Sequence, residues 1–193
     1  MTKNIGNLEN CSCLATVSFS PNIKTTTGFL GTFAVKRLVF PKSTLLNINQ
    51  ILAMNLYIVR LIYNITMQDY VHHSFAMCRN LTSLPPIEGT PTTIGDSFCA
   101  NCWSLQKFEC ANSVTSISQT AFQNCYSMRY YDFTKLSAVP TLDNVNAFQG
   151  IPADCKIVVP DELVDDWKAA DNWSNYATYI IGKTEYLNNG GEL

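Results

Sequence analysis

The sequence predicts an α/β-type repeat solenoid, in which stacked coils each lend a short strand to a parallel sheet and a C-terminal helix closes the stack. Three observations predict it. Cys78, Cys102 and Cys125 stand 24 and then 23 residues apart within similar surroundings. Each register position is followed by apolar residues at the two-residue spacing of a strand with one buried face. After residue 150 the register breaks, and a short apolar strand leads into an amphipathic helix.

Composition sets the frame. The chain has 193 residues, 47% of them hydrophobic and only 15% charged, which argues against disorder and for a well-buried core in one sizeable domain or two small ones. A net charge of −2 gives no reason to expect a nucleic-acid partner. The opening MTKNIGNLENCSC lacks the apolar core of a secretory signal. The run ILAMNLYIVRLIYNI is too short to span a bilayer and carries Arg60, so a soluble chain without membrane insertion is expected.

The register emerges when SFCANCWSLQKFEC, beginning at Ser97, is set beside SFAMCRNLTSL from Ser74 and AFQNCYSMRYYDF from Ala121. All three read aromatic, short gap, cysteine, two residues, aliphatic, two residues, apolar. Stepping backward, the cysteine slot falls on Asn55, Thr32 and Cys11. The apolar trios are Leu14, Val17 and Phe19; Val35, Leu38 and Phe40; Ile58, Leu61 and Tyr63; Leu105, Phe108 and Cys110; and Met128, Tyr131 and Phe133. The unit at Leu81 and Leu84 departs by placing Pro86 third. Six units cover residues 8 to about 140 in this register.

A strand this short cannot bury its apolar face alone, whereas stacked copies can, with inward residues aligned as ladders. Second apolar pairs (Leu45 and Ile48, Met67 and Tyr70, Val114 and Ile117) mark the return path of each coil. The aromatics Phe29, Phe75, Phe98, Phe122 and Phe148 begin the next. The unit containing Phe98 has one more residue between its Phe and its Cys than its neighbours, which leaves Cys99 as an inserted residue outside the pattern.

SVTSISQTAFQNC and AFQNCYSMRYYDF resemble the repeat of BspA-type leucine-rich repeat proteins. The resemblance is strong from Phe75 to about Gly150; before that it stays in register with Thr32 and Asn55 in place of Cys and Leu52 in place of the aromatic. It implies a leucine-rich repeat solenoid used for binding and adhesion without catalysis or cofactor, at a cell surface or in a virion. The ending resembles the closing segment of gut bacterial and phage members.

In that ending, CKIVVP is expected as the last strand, with Cys155, Ile157 and Val159 inward. PDELVDDWKAADNW is expected as a helix with Leu163, Val164, Trp167 and Ala170 on one apolar stripe and Asp161 and Glu162 in the first turn, where carboxylates suit the helix dipole. Trp173, Tyr176, Tyr179 and Ile180 continue the packing. The expected organisation is a solenoid over 1–150, a strand and capping helix over 151–182, and a polar, flexible tail over 183–193. The N-terminus shows no comparable cap, so docking of that open coil on a copy or neighbour is the alternative role.

Several motifs invite chemistry. Cys99 and Cys102 form a Cys-x-x-Cys, but a zinc site needs four ligands; a buried thiol ladder accounts for Cys11, Cys78, Cys102 and Cys125, with Cys110 in a strand slot. Cys13 and Cys99 are less explained. His72 and His73 could approach Cys99 from the adjacent coil, yet no third orienting group is evident. Asp161, Glu162, Asp165 and Asp166 read as a solvated helix face rather than a calcium or acid–base cluster. Sequons at Asn64, Asn80 and Asn172 matter only in a eukaryotic secretory setting.

One surface feature survives. The residues between trio members should point outward from the sheet: Lys36, Arg37, Arg60, Lys107, Arg129 and Tyr130, with Val39, Val59 and Ile62 among them. This basic, aliphatic and aromatic stripe is the candidate surface for a partner protein or a cell-surface glycan.

Overall fold

The computed structural model describes residues 16–18, 37–39, 45–46, 66–67, 72–84 and 89–193. Strand β1 (Thr16–Ser18) pairs in parallel with β2 (Arg37–Val39), and β3 (Leu45–Leu46) with β4 (Thr66–Met67). There follow β5 (Thr93–Ile94), β6 (Lys107–Glu109), β7 (Ser116–Ile117), β8 (Tyr130–Asp132), β9 (Thr141–Leu142) and β10 (Lys156–Val159). Helix α1 (Val164–Ala169), strand β11 (Ile180–Gly182) and helix α2 (Lys183–Asn188) complete the chain. Besides these two pairs, the described residues form two larger parallel sheets: a main sheet in the order β11-β10-β8-β6 and a second in the order β5-β7-β9.

This is an α/β-type repeat solenoid, and among the described residues its inner columns follow the expected trios. Phe108, Tyr131, Ile157 and Ile180 stand in register across the main sheet, all buried. Cys110 and Phe133 fill the third slot, and Leu105 and Met128 the first. Ile94, Ile117 and Leu142 form the matching column of the second sheet. Val17 pairs with Leu38, as the backward register requires. In the next pair Leu46, not Leu45, faces Met67; two adjacent leucines let the apolar letters match either way, and the backbone register decides. The remaining members of the first three units, with Cys11, Cys13, Phe29, Thr32 and Asn55, lie outside the described residues.

The reading of Cys99 as an insertion is overturned by hydrogen bonding between coils. Phe75 N donates to Phe98 O, Cys99 N to Ala121 O, and Phe122 N to Ala147 O. This repeat of bonds aligns Phe75, Cys99, Phe122 and Phe148 in one column. The preceding column holds Ser74, Phe98, Ala121 and Ala147. The large and small residues have therefore exchanged places in one coil, with no residue added between them. Phe98 is fully buried, with its ring 5.4 Å from that of Phe75 and 6.1 Å from that of Phe122. The small Cys99 leaves the volume that Phe98 fills from the neighbouring column, conserving core volume.

Left-handed turn residues recur from coil to coil among the described residues. His73, Ser97 and Thr120 form one such set, and Met77, Asn101, Asn124 and Gly150 the other. Polar side chains on these turns bond from coil to coil: Ser97 to Thr120 at 2.8 Å and Asn124 to Asn101 at 3.0 Å.

The closing segment differs from expectation in three ways. The helix is divided: a 3-10 turn at Asp161–Leu163 precedes α1, and another follows at Trp173–Tyr176. Asn172 between them is left-handed (φ 62°) and donates to Leu142 O at 2.7 Å, holding the break against the last complete coil. Trp167 and Trp173 are both fully buried with rings 4.5 Å apart, and Trp173 donates to Pro140 O at 2.8 Å. Leu163, Val164 and Ala170 of the expected stripe are only partly buried against this core. Second, β10 is not the final strand, because β11 pairs with it in parallel. Third, the segment expected as a flexible tail carries α2. Asp161, read from sequence as a first-turn carboxylate, accepts from Thr184 N at 2.9 Å and from Thr184 Oγ1 at 2.6 Å. A carboxylate satisfying a helix's first N–H groups is a cap reaching in from elsewhere in the chain.

The column exchange predicts that Phe98→Ala alone destabilises the fold by about 3–5 kcal/mol. Adding Cys99→Phe, which restores the order of its neighbours, should recover most of that loss in a urea titration. The bonds from Thr184 hold the Asp161 carboxyl below its ordinary pKa. Their stabilisation is present at neutral pH, above the unfolded carboxyl's value of about 3.9, and is lost as pH falls through the lower folded value. Protection factors of the α2 amides, taken relative to the intrinsic exchange rate at each pH, should fall over that acid range, and Asp161→Asn should show the lowered protection already at neutral pH.

Candidate binding surface

Alternation along the main-sheet strands sends every second side chain outward. Lys107, Tyr130 and Lys156 form one outward row, and Glu109, Asp132, Val158 and Ile181 the next. Of the expected stripe, Lys36, Arg60, Val59 and Ile62 lie outside the described residues, and Arg37 and Val39 lie on β2. The other three converge. Lys107, Arg129 and Tyr130 line one groove of about 350 Å³ together with Thr82, Ser83, Gln106, Glu192 and Leu193. The ladder sets their positions: Arg129 N donates to Gln106 O at 2.8 Å, and Gln106 N to Thr82 O at 3.2 Å, so successive coils supply successive wall residues.

Charge in the groove is mixed. Lys107 and Arg129 are exposed. Lys107 pairs with Glu109 at 3.1 Å, and that bond raises its pKa. Tyr130 departs from expectation. It faces outward, yet only 7% of it is exposed, because Tyr186 of α2 lies against it at 5.9 Å between ring centroids. Tyr130, Val158 and Ile181 form a small apolar cluster on this outer face, with Tyr186 packed on it. Sequence reasoning missed residues 186–193 as part of the surface; the available signal was an aromatic followed shortly by Gly-Gly, a pairing that permits a tight return.

A family model for the BspA type leucine rich repeat region matches residues 6–129 in six copies. The chain belongs to the BspA-type leucine-rich repeat family. A crystal structure of a leucine-rich repeat protein from Bacteroides ovatus superposes with a TM-score of 0.67 at 15% identity, covering 93% of this chain and 45% of that one. At that identity the likeness shows the fold alone, and this chain spans less than half the length of that protein. No curated protein matches the chain. Leucine-rich repeat proteins of this kind are typically non-catalytic and generally bind proteins.

The leucine-rich repeat coils also account for the cysteines. Cys78, Cys99, Cys102, Cys110, Cys125 and Cys155 are free thiols buried in the core. Cys102 Sγ donates to Phe75 O at 3.0 Å and Cys125 Sγ to Cys99 O at 3.3 Å, so the slot thiol satisfies a carbonyl of the preceding coil. Burial pushes the Cys99 thiol up to about 11 and that of Cys155 to about 12, and raises Cys102, Cys110 and Cys125 as well. Thiols held protonated are poor nucleophiles and poor metal ligands. The histidines serve a turn: His72 Nδ1 accepts from Asp96 N at 2.8 Å, and His73 lies 4.0 Å from the Asp96 carboxylate.

Elsewhere Arg79 stacks 4.0 Å over the Trp103 ring, and Trp103 lies 6.1 Å from Tyr126, one residue per coil. Trp103 and Tyr126 remain 39% and 53% exposed. The stack is a cation–π and aromatic clamp between coils.

The six described thiols should resist an aromatic disulfide reagent at pH 8 in the folded protein and all react in denaturant. Rapid native reaction of Cys99 or Cys102, followed by mass mapping, would contradict the buried ladder.

Proposed function

We propose that this chain is a non-catalytic recognition module that engages a partner protein, or a cell-surface glycan, through the outer face of its main sheet. One observation carries the reading: Lys107, Arg129 and Tyr130, drawn from two coils, meet in a single open groove. A groove with two cations, hydroxyl and amide groups, and an aromatic wall offers directional polar contacts beside apolar area, the mixture found at recognition surfaces. The buried, protonated thiols and the turn-bound histidines leave this face as the better-supported functional surface. A surface or virion location fits an adhesive role of this kind.

The test compares the wild-type chain with Lys107→Ser/Arg129→Ser on a peptide array and a glycan array. Circular dichroism should report the same fold for both, because the two side chains are exposed. Wild-type binding is expected to concentrate on one class of probe and to fall about tenfold or more in the variant, the loss of one or two charge-assisted contacts. Undiminished binding in the variant would remove this face as the site.

A further inference from the structure

The groove takes part of its wall from the closing segment: Glu192 and Leu193 line it, a few residues beyond Tyr186, which packs on the outer sheet face. That path is specified by residues. Gly190 takes a left-handed conformation (φ 84°), and a Cβ on Gly191 would overlap the Tyr186 ring. Gly191 N donates to Tyr186 O at 3.0 Å, and Gly190 N to Leu187 O at 3.0 Å. The two glycines thus end α2 and return the chain tightly across Tyr186, bringing Glu192 to the groove that Lys107 and Arg129 also line.

The hold on this segment is slight. Helix α2 has six residues and buries none of them fully, and a helix this short has little stability of its own. Leu187 is 43% exposed and Leu193 39%. Its anchors are Thr184 on Asp161 and the half-buried Tyr186 on Tyr130. A carboxylate and an apolar side chain are therefore placed in the same groove as Lys107 and Arg129 by a segment with few contacts to lose.

We propose that residues 186–193 are a built-in, displaceable wall of this groove, and that the partner presents an acidic peptide segment, a carboxylate side chain next to an apolar residue, that takes the place of Glu192 and Leu193. The inference rests on the sheet-face reading above and adds to it the chemistry of the partner and a competitor within the chain. Charge complementarity selects the peptide: Lys107 and Arg129 attract a carboxylate, and the chain's own Glu192 supplies one. Because this wall belongs to the chain, it lowers the apparent affinity of an external peptide for its place by the fraction of time the segment is displaced.

The experiment uses the full chain and a fluorescein-labelled peptide with the sequence YLNNGGEL, read by fluorescence polarisation. Gly191→Val sets a Cβ against the Tyr186 ring, which must move off its place for the chain to return, and should bind the peptide about tenfold more tightly than wild type, corresponding to a segment displaced about a tenth of the time in the wild type. Tyr186→Ser, which removes the anchor on Tyr130 without adding bulk, should shift affinity in the same direction and serves if the valine variant fails to fold. The peptide YLNNGGQL should bind more weakly to either variant, and adding Lys107→Ser/Arg129→Ser should abolish the signal. Equal affinities for wild type and both variants, or no binding to either, would overturn the displaceable wall. Equal binding of the Glu and Gln peptides would overturn the acidic partner. Dimerisation of the variants would overturn it in favour of a second copy's segment. None of these failures touches the array comparison, which reads loss of partner binding with residues 186–193 in place.

Discussion

Hydrogen bonding between consecutive coils is the constraint on which the rest of the structure depends. Each coil donates from its turn and strand N–H groups to carbonyls of a neighbouring coil, as in Phe75 N to Phe98 O and Cys99 N to Ala121 O. Buried backbone groups require such partners, so residue positions become columns. A side chain in a column must suit those above and below it. The phenylalanine column, the slot thiols and the outward rows of the sheet all follow from that alignment, as does the place where it can be broken: a local exchange of large and small is tolerated when the backbone register is kept.

The slot thiols show how a sequence signal of catalysis arises from a structural need. A turn carbonyl faces the core and needs a small donor; Cys102 and Cys125 provide it at little cost in volume. Thr32 and Asn55, which share this slot by sequence register, also carry donors. Reactivity would require a thiolate, and burial opposes the charged form throughout the column. The column of thiols is thereby accounted for by packing and hydrogen bonding alone.

That face is shaped as much by the closing segment as by the repeats. Trp167 and Trp173 seal the last coil, β11 extends the main sheet, and Asp161 ties the start of the closure to the start of α2. The result covers the final strands while leaving Lys107 and Arg129 exposed at the groove. The groove and the closure share a boundary here, which is why a segment whose Tyr186 packs on apolar Val158 and Ile181 also reaches the groove.

By itself the sequence determined the repeat, the inward residues of the strands and the aromatic closure. These are properties of periodicity: apolar residues at fixed spacing have one way to be buried together when coils stack in parallel. It also placed Lys107, Arg129 and Tyr130 on a common face, since outward positions are the complement of inward ones. Only the tertiary structure decided three matters. The place of Cys99 depended on which backbone groups bond between coils, and the letters Phe-Cys-Ala-Asn-Cys are compatible with an insertion or an exchange. The strand at Ile180 and the path of 183–193 depended on partners distant in sequence, Val158 and Tyr130, which local pattern does not encode. For the same reason the exposure of Tyr130 was illegible: its direction is set by strand alternation, whereas its burial is set by Tyr186, a residue 56 positions away, across a contact that exists only once the closing segment has folded back.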